Sequence, residues 1–252
     1  MEKTNEIQLS YDRIVQEYLE SRTVNKGISG FFNREIEQPT MLKLIPKDLS
    51  GKNVLDLGCG PGIHLKKVIE RGGTGCGIDI SPKMIEVAKE HCKGAKLKVG
   101  DIKNLNYEDN SFDIVFSSYV LDHIEDLVPV IKEIKRVLKE KGQFICSIDH
   151  PIRFMFRGSE KNSFVPSHSY FDNEITHYNM AGSNSKIPGF PKTMQEYILP
   201  FIEQGFTLKG FIENVPEDSW KLNYPDIDKN VFKIPSVCFF KWEKQNTIKS
   251  EE

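Results

Sequence analysis

The sequence predicts an α/β fold: a doubly wound, mostly parallel seven-stranded sheet with helices on both faces, an N-terminal helical lid and an insert after strand five. Three observations carry this. Short apolar runs (NVLDL, GTGCGID, FDIVFSS, QFICSI) read as strands buried on both faces. Amphipathic stretches of helical period alternate with them, which implies a parallel sheet. A glycine-rich turn, GCGPG, joins the first run to the first of these helices, at a strand end where open parallel sheets bind ligands.

Residues 1–50 are the expected lid. In SYDRIVQEYLESR, the residues Tyr11, Ile14, Val15, Tyr18 and Leu19 share one face of a single helix. A Gly- and Asn-rich loop from Asn25 to Asn33 precedes a second helix, Glu35 to Leu44, which Pro39 weakens. The core spans 51–149. After NVLDL and the turn, a helix presents Leu65, Val68 and Ile69 and stops at Arg71-Gly72-Gly73. GTGCGID is the second strand. Ser81 caps the next helix with Pro82 at its first position, and Met84, Ile85 and Ala88 face inward. AKLKVG and FDIVFSS are strands three and four. A helix burying Leu127, Ile131, Ile134 and Leu138 leads to QFICSI, strand five.

Residues 150–192 are rich in Pro, Gly, Asn, Ser and aromatic residues and show no period. They are too long for a bare loop and are expected to form a cap. Residues 193–245 complete the same domain: a helix from Thr193 to Gln204 ended by Gly205, then TLKGFIE and SVCFFKW as an antiparallel pair at the sheet edge. These two strands flank a long segment from Asn214 to Pro235, and the tail NTIKSEE is expected to fray.

The 34 Lys and Arg against 36 Asp and Glu leave no basic excess, so no nucleic-acid partner is expected. The five Cys are odd in number and lack CxxC spacing, and Cys76, Cys146 and Cys238 fall in strand-like runs. They read as reduced thiols of a cytoplasmic protein. The polar start MEKTNEIQLS lacks a signal core, and no apolar run of about 18 residues asks for a membrane. The six His show no HExxH or other ligand spacing, and no carboxylate cluster can be assembled, so no metal is expected.

The glycine turn is the most informative stretch. Gly58, Gly60 and Gly62 alternate between strand and helix. The dinucleotide pattern G-x-G-x-x-G fails because its third position is Ile63, and no GK[ST] phosphate loop occurs. Alone, the turn is a weak signal, because a tight strand-to-helix connection also accounts for it. Two carboxylates shift the balance. Asp79, ending strand two, is placed to accept hydrogen bonds from both hydroxyls of a ribose. Asp101, after strand three, is placed to take an adenine amine with Ile102 beside the ring.

VLDLGCGPG, GIDIS, GDIKNL, FDIVFSSYVLDHIED and RVLKEKGQFICSI, in this order, resemble the class I S-adenosylmethionine-dependent methyltransferases over about residues 40–150. The C-terminal half is similar to a bacterial small-molecule-type subset with a methyltransferase type 11 domain. The resemblance implies a Rossmann-like fold with S-adenosylmethionine as cofactor and S-adenosylhomocysteine as product. It implies that Asp56, Gly58, Cys59, Gly60 and Gly62 surround the methionine portion, with Ser117 and Ser118 close by. It implies that Asp79, with Ile80 beside it, holds the ribose, and that Asp101 and Ile102 hold the adenine. In the family an N-terminal helix often closes over the cofactor and offers a Tyr, which makes Tyr11 a cofactor or lid residue and Tyr18 a weaker candidate.

Methyl transfer from a sulfonium is an in-line displacement, so the protein's main task is to align the acceptor. His150, after strand five, is a candidate to orient or deprotonate that acceptor, or else it caps the strand end. His123, after strand four, is a second candidate for which a structural role is the stronger reading. Phe164, His168, Tyr170, Phe171, His177 and Tyr178 suit either a small organic acceptor or a cap packed on itself. Relatives tend to carry a His before the Thr-led helix. This chain has Phe190-Pro191-Lys192-Thr193, so no acceptor site is carried over. The expected function is methyl transfer to an O, N, S or C atom of a small molecule, by a monomer or homodimer. The alternatives are a non-catalytic S-adenosylmethionine-binding module serving a partner protein, and a nicotinamide oxidoreductase, which Ile63 disfavours.

Overall fold

The computed structural model describes residues 2–23, 27–156, 163–179 and 185–246. The central sheet has seven strands: β1 (Asn53–Leu57), β2 (Thr74–Asp79), β3 (Lys96–Val99), β4 (Phe112–Ser118), β5 (Leu138–Asp149), β8 (Phe206–Glu213) and β9 (Val237–Lys244). Their spatial order is β3-β2-β1-β4-β5-β9-β8. The first five are parallel, and β9 pairs antiparallel with both β5 and β8. Order reverses beside β1, so the ends of β1 and β4 face a crevice, the place where such sheets bind ligands.

Alternation along the strands builds two cores. Leu55, Leu57, Val115, Phe144, Cys146 and Ile148 pack on one face against α7 (Leu127–Val137) and α9 (Met194–Glu203). Val54, Ile114, Phe116 and Ile145 pack on the other against α4 (Gln38–Leu44) and α5 (Ile63–Glu70). The Ser81 cap of α6 (Pro82–His91) forms as expected, its hydroxyl accepting the Met84 N–H at 3.1 Å. Thr193 and Glu196 close a reciprocal capping box on α9.

Several elements differ from the expectation. The single N-terminal helix is two, α1 (Glu2–Arg13) and α2 (Val15–Thr23). Ile14 is buried at the junction, where its N–H reaches back three residues to Tyr11 and tightens the turn. In the expected Asn25–Asn33 loop, residues 24–26 lie outside the described residues, and α3 (Gly27–Phe31) starts directly after them. A π-helical turn, Phe32–Glu37, then feeds α4. The Gln38 N–H bonds the Asn33 carbonyl five residues back, so Pro39 falls in the first turn of α4, where its missing N–H costs nothing. Leu138 opens β5 opposite Phe112 rather than ending α7. The insert is not featureless: it holds α8 (Pro151–Phe154) and a hairpin of β6 (Thr176–Asn179) with β7 (Lys186–Gly189). The segment before β9 holds α10 (Asp218–Asn223) and a 3-10 turn, Lys229–Phe232. Residues 157–162, 180–184 and, in the tail, 247–252 lie outside the described residues, as does the Tyr178 side chain.

Candidate functional site

Parallel strands end on one side, which brings the turn after β1, Asp79 of β2, Asp101 after β3 and Ser118 of β4 to one rim. They border a pocket of about 710 Å³, open mouth included. The turn after β1 hugs β2: the Gly58 and Cys59 N–H groups both donate to the Ile78 carbonyl, at 2.8 and 3.0 Å. Gly58 has φ +66°, and a Cβ there would stand 2.5 Å from Val120, so only glycine fits. Asp79 is buried and accepts the Gly60 N–H on Oδ2 and the Ser81 N–H on Oδ1, both at 2.8 Å. Burial pushes its carboxyl up and the N–H donors oppose that only in part, leaving it at about 6.

Of the residues singled out from the sequence, Tyr11, Tyr18, Gly58, Gly60, Asp79, Ile80, Asp101, Ile102, Ser118 and His123 line this pocket. The others stand back from it. Asp56 is buried behind the turn, its carboxyl pushed well above the carboxylate range by burial and by Asp79. Cys59 is buried with its thiol near the Gly60 carbonyl, 3.8 Å away. Gly62 begins α5 packed on Cys92. Ser117 is buried and its hydroxyl has no partner among the described residues.

The two histidines sit in different places. His123 lines the pocket. Its Nδ1 lies 2.8 Å from the Pro188 carbonyl and so carries the proton donated there, which leaves Nε2 to accept from the Tyr11 hydroxyl at 3.0 Å. It thereby joins α1 to the hairpin. His150 borders a second recess of about 320 Å³, open mouth included, with Asp122, Lys192 and Tyr197. Its Nδ1 accepts the Ile152 N–H at 3.1 Å, capping α8, and its Nε2 meets Glu213 at 2.9 Å. Burial lowers its pKa against the pull of Glu213.

A buried polar cluster beneath the pocket escaped the sequence reading. Arg22 donates from Nη1 to Glu37 (3.1 Å) and from Nη2 to Ser118 (3.0 Å) and to the Tyr18 hydroxyl (2.9 Å). Ser118 and Ser147 donate to Glu37 Oε1 at 2.6 and 3.0 Å. His64 Nε2 stands 3.2 Å from Glu37 Oε2 as an ion-pair contact without hydrogen-bond alignment. Burial alone would raise the Glu37 carboxyl, yet His64, Arg22 and Ser118 pull it down to about 2. The available signal was spacing: Arg22 lies four residues after Tyr18, on its helix face. Tyr119, also missed, lines the pocket from a left-handed backbone of φ +55°. Among the described residues, no group of three or more His, Cys, Asp or Glu is placed to hold a metal ion. No helix among them is long and apolar enough to cross a membrane.

This geometry fits an adenosyl cofactor: glycines leave room at the strand ends, a buried carboxylate faces the pocket, and the enclosed Tyr119 hydroxyl lacks a partner. Comparisons agree. The family profile described as methyltransferase domain matches residues 55–146. An uncharacterised Haemophilus influenzae protein is 31% identical over 84% of this chain and 88% of its own. A demethylmenaquinone methyltransferase of Staphylococcus saprophyticus is 36% identical over 49% of this chain and 59% of its own length. A Listeria monocytogenes structure described as an S-adenosylmethionine dependent methyltransferase is similar at TM-score 0.71 and 26% identity, covering 83% of this chain and 97% of that one. The chain belongs to the class I S-adenosylmethionine-dependent methyltransferases, and its cofactor is S-adenosylmethionine.

Proposed function

We propose that the enzyme methylates a small organic molecule and that residues 150–192 help to enclose it. The observation that carries this reading is the roof of the pocket. Tyr11, His123 and Pro188 link α1 to the hairpin, and the Ser10 hydroxyl adds a bond to the Lys186 carbonyl at 3.2 Å. A recess roofed in this way suits a compact ligand better than a polymer. The even charge of the chain points the same way. The demethylmenaquinone methyltransferases match over 138 residues or fewer, half of this chain or less. Their acceptor is therefore not carried to this chain.

In this reading Asp79 and Ile80 hold the ribose and Asp101 and Ile102 the adenine. The glycine turn and Ser118 frame the methionine end, while Asp56, Cys59, Gly62 and Ser117 support that frame from behind. Residues 1–50 act as a lid on the core of 51–149, which 193–245 completes. When bound, S-adenosylmethionine supplies a methyl group already activated on its sulfonium. The chain supplies alignment, worth up to about 7–11 kcal/mol of barrier, and exclusion of water. Both His123 nitrogens are engaged in holding the roof, and the two His150 nitrogens tie α8 to Glu213 at the end of β8, so we assign each a positioning role.

The test is calorimetric titration with S-adenosylmethionine and S-adenosylhomocysteine, with NADH and Asp79→Ala as controls. Labelled methyl transfer to small organic acceptors, tRNA, DNA and protein follows. Turnover confined to small molecules is expected. Efficient labelling of a polymer overturns the acceptor class, and absence of cofactor binding overturns the residue placement.

A further inference from the structure

The second recess lies beside the turn Leu121–His123, between the end of β5, the hairpin and α9. It measures about 320 Å³, open mouth included, and shares no lining residue with the cofactor pocket. The turn adjoins both: Asp122 lines the recess and His123 the pocket. The loop after β7 is tied to this turn, the Phe190 N–H donating to the Asp122 carbonyl at 2.8 Å. Much of the wall is flat and apolar, built from Phe154, Phe190 and Tyr197 with Pro151 and Pro191. Such a wall suits a ring.

Two donors at the recess lack acceptors. Lys192 Nζ donates to the Ile124 carbonyl and, at 3.1 Å, to the Phe190 carbonyl. An ammonium has three protons, and no described residue takes the third. The hydroxyl of Thr176, on β6, is enclosed and has no partner among the described residues. Buried hydroxyls nearly always have one. The polar groups around them are engaged. Asp122 accepts the Tyr197 hydroxyl at 2.7 Å and the Asp149 N–H at 3.1 Å, Asp149 accepts from Arg153 at 2.6 Å, and His150 is bound at both nitrogens.

The charges around the recess cancel. Asp122 and Asp149 stand against Lys192 and the Arg153 that pairs with Asp149, and burial holds His150 toward its neutral form. Burial lowers the Lys192 ammonium to about 8 against the pull of Asp122, so it stays charged at neutral pH. A ligand carboxylate would give up its hydration beside Asp122 and Asp149, and a ligand ammonium beside Lys192. A neutral carbonyl oxygen avoids both costs, and two such oxygens already fill the other places on Lys192. We propose that this recess is a second small-molecule site, distinct from the cofactor pocket, which takes a flat neutral ring bearing a carbonyl group, with Lys192 and Thr176 donating to the carbonyl oxygen. The proposal does not depend on how the cofactor sits.

The test is a chemical-shift titration of the nitrogen-15-labelled chain, with and without S-adenosylhomocysteine to fill the main pocket. The probes are acetophenone, benzoate and benzylamine, which put a neutral carbonyl, an anion and a cation on the same ring. Acetophenone is expected to bind in the millimolar range and to shift the amides of Thr176, Gly189, Lys192 and Tyr197 in both conditions. Benzoate and benzylamine are expected to bind there about tenfold more weakly or not at all. Lys192→Met is expected to weaken acetophenone about tenfold and Thr176→Val severalfold. Thr176→Val keeps the shape of the side chain, so it reads the hydrogen bond even if Lys192→Met fails to fold. Benzoate or benzylamine binding as tightly as acetophenone overturns the ligand class. Acetophenone shifts absent from these four amides overturn the site. Unchanged acetophenone affinity in Thr176→Val and in folded Lys192→Met overturns the assignment of the donors. Acetophenone shifts that persist in a chain failing to bind S-adenosylhomocysteine uphold the recess and leave only the cofactor placement to fall.

Discussion

The floor and the roof of the pocket are built by different means. The floor is backbone and buried carboxyls: N–H groups of the glycine turn bond the Ile78 carbonyl and Asp79, and Arg22, Glu37 and Ser118 lock the ground beneath. The roof is a helix laid over it by side chains. Tyr11 meets His123, Ser10 meets Lys186, Asp12 takes the Ser81 hydroxyl at 2.5 Å, and the exposed pairs Lys3–Glu125 and Glu6–His177 span 2.8 and 3.1 Å. Buried, multiply bonded groups cost several kcal/mol to disturb, whereas exposed pairs are worth about 0–1 kcal/mol each. The difference predicts that cofactor affinity belongs to the floor, and that the roof sets how readily ligands come and go.

The largest effect is expected at Asp79. Two hydrogen bonds to a charged group are worth about 3–6 kcal/mol, so Asp79→Ala is predicted to weaken S-adenosylmethionine binding by about a hundredfold or more. Titration of the folded variant checks this. A loss under tenfold would move the ribose elsewhere and break the contrast at its strongest point.

Glu37 comes next, and it affects folding. Glu37→Ala strands the buried Arg22 charge, so a loss of about 3–5 kcal/mol is expected. For a chain of this size that is a fall in Tm of about 10 °C or more. Adding Arg22→Met should restore part of it. If the single and double variants melt alike, the pair is not the lock described here.

The two buried carboxyls also predict opposite pH behaviour. Asp79 is raised from 3.8 to about 6, so the folded chain holds its proton more tightly than the unfolded one. Its contribution to stability is present below about 4 and is lost as pH rises through 6. Glu37 is lowered from 4.5 to about 2, so its contribution is present above 4.5 and is lost as pH falls toward 2. Each shift corresponds to about 3 kcal/mol. Urea denaturation across pH 3–7 should show the 4–6 slope flatten in Asp79→Ala, and a wild-type slope that survives this substitution would remove Asp79 as its source.

What was legible in the sequence follows the same division. The glycine-turn part of the floor is local: a strand, its turn and a carboxylate at the next strand's end lie within a few dozen residues, so NVLDLGCGPG and GID announce it. The roof joins residues 112 and 176 positions apart in Tyr11–His123 and Ser10–Lys186, and no spacing encodes such pairs. Arg22 was passed over because helical periodicity assigns a charge to solvent, and only its buried acid partner makes the interior tolerable. The hairpin was missed because its strands, Thr176–Asn179 and Lys186–Gly189, are short and the second contains Pro188.

The smallest effect tests the roof itself. Tyr11→Phe removes the hydroxyl bond to His123, worth about 0.5–1.5 kcal/mol, and keeps the ring that packs edge-on against Tyr18 at 5.7 Å. Stability should therefore barely move. If α1 is a gate, release of S-adenosylhomocysteine in a filter-binding chase should quicken severalfold, because opening no longer breaks the Tyr11–His123 bond. Lys3→Ala, which removes an exposed pair at the far end of the helix, should leave the release rate unchanged. Equal rates in all three proteins would mean that ligands leave without lifting α1. The helix would then be a fixed wall like the floor, and the distinction between the two regions would be one of construction alone.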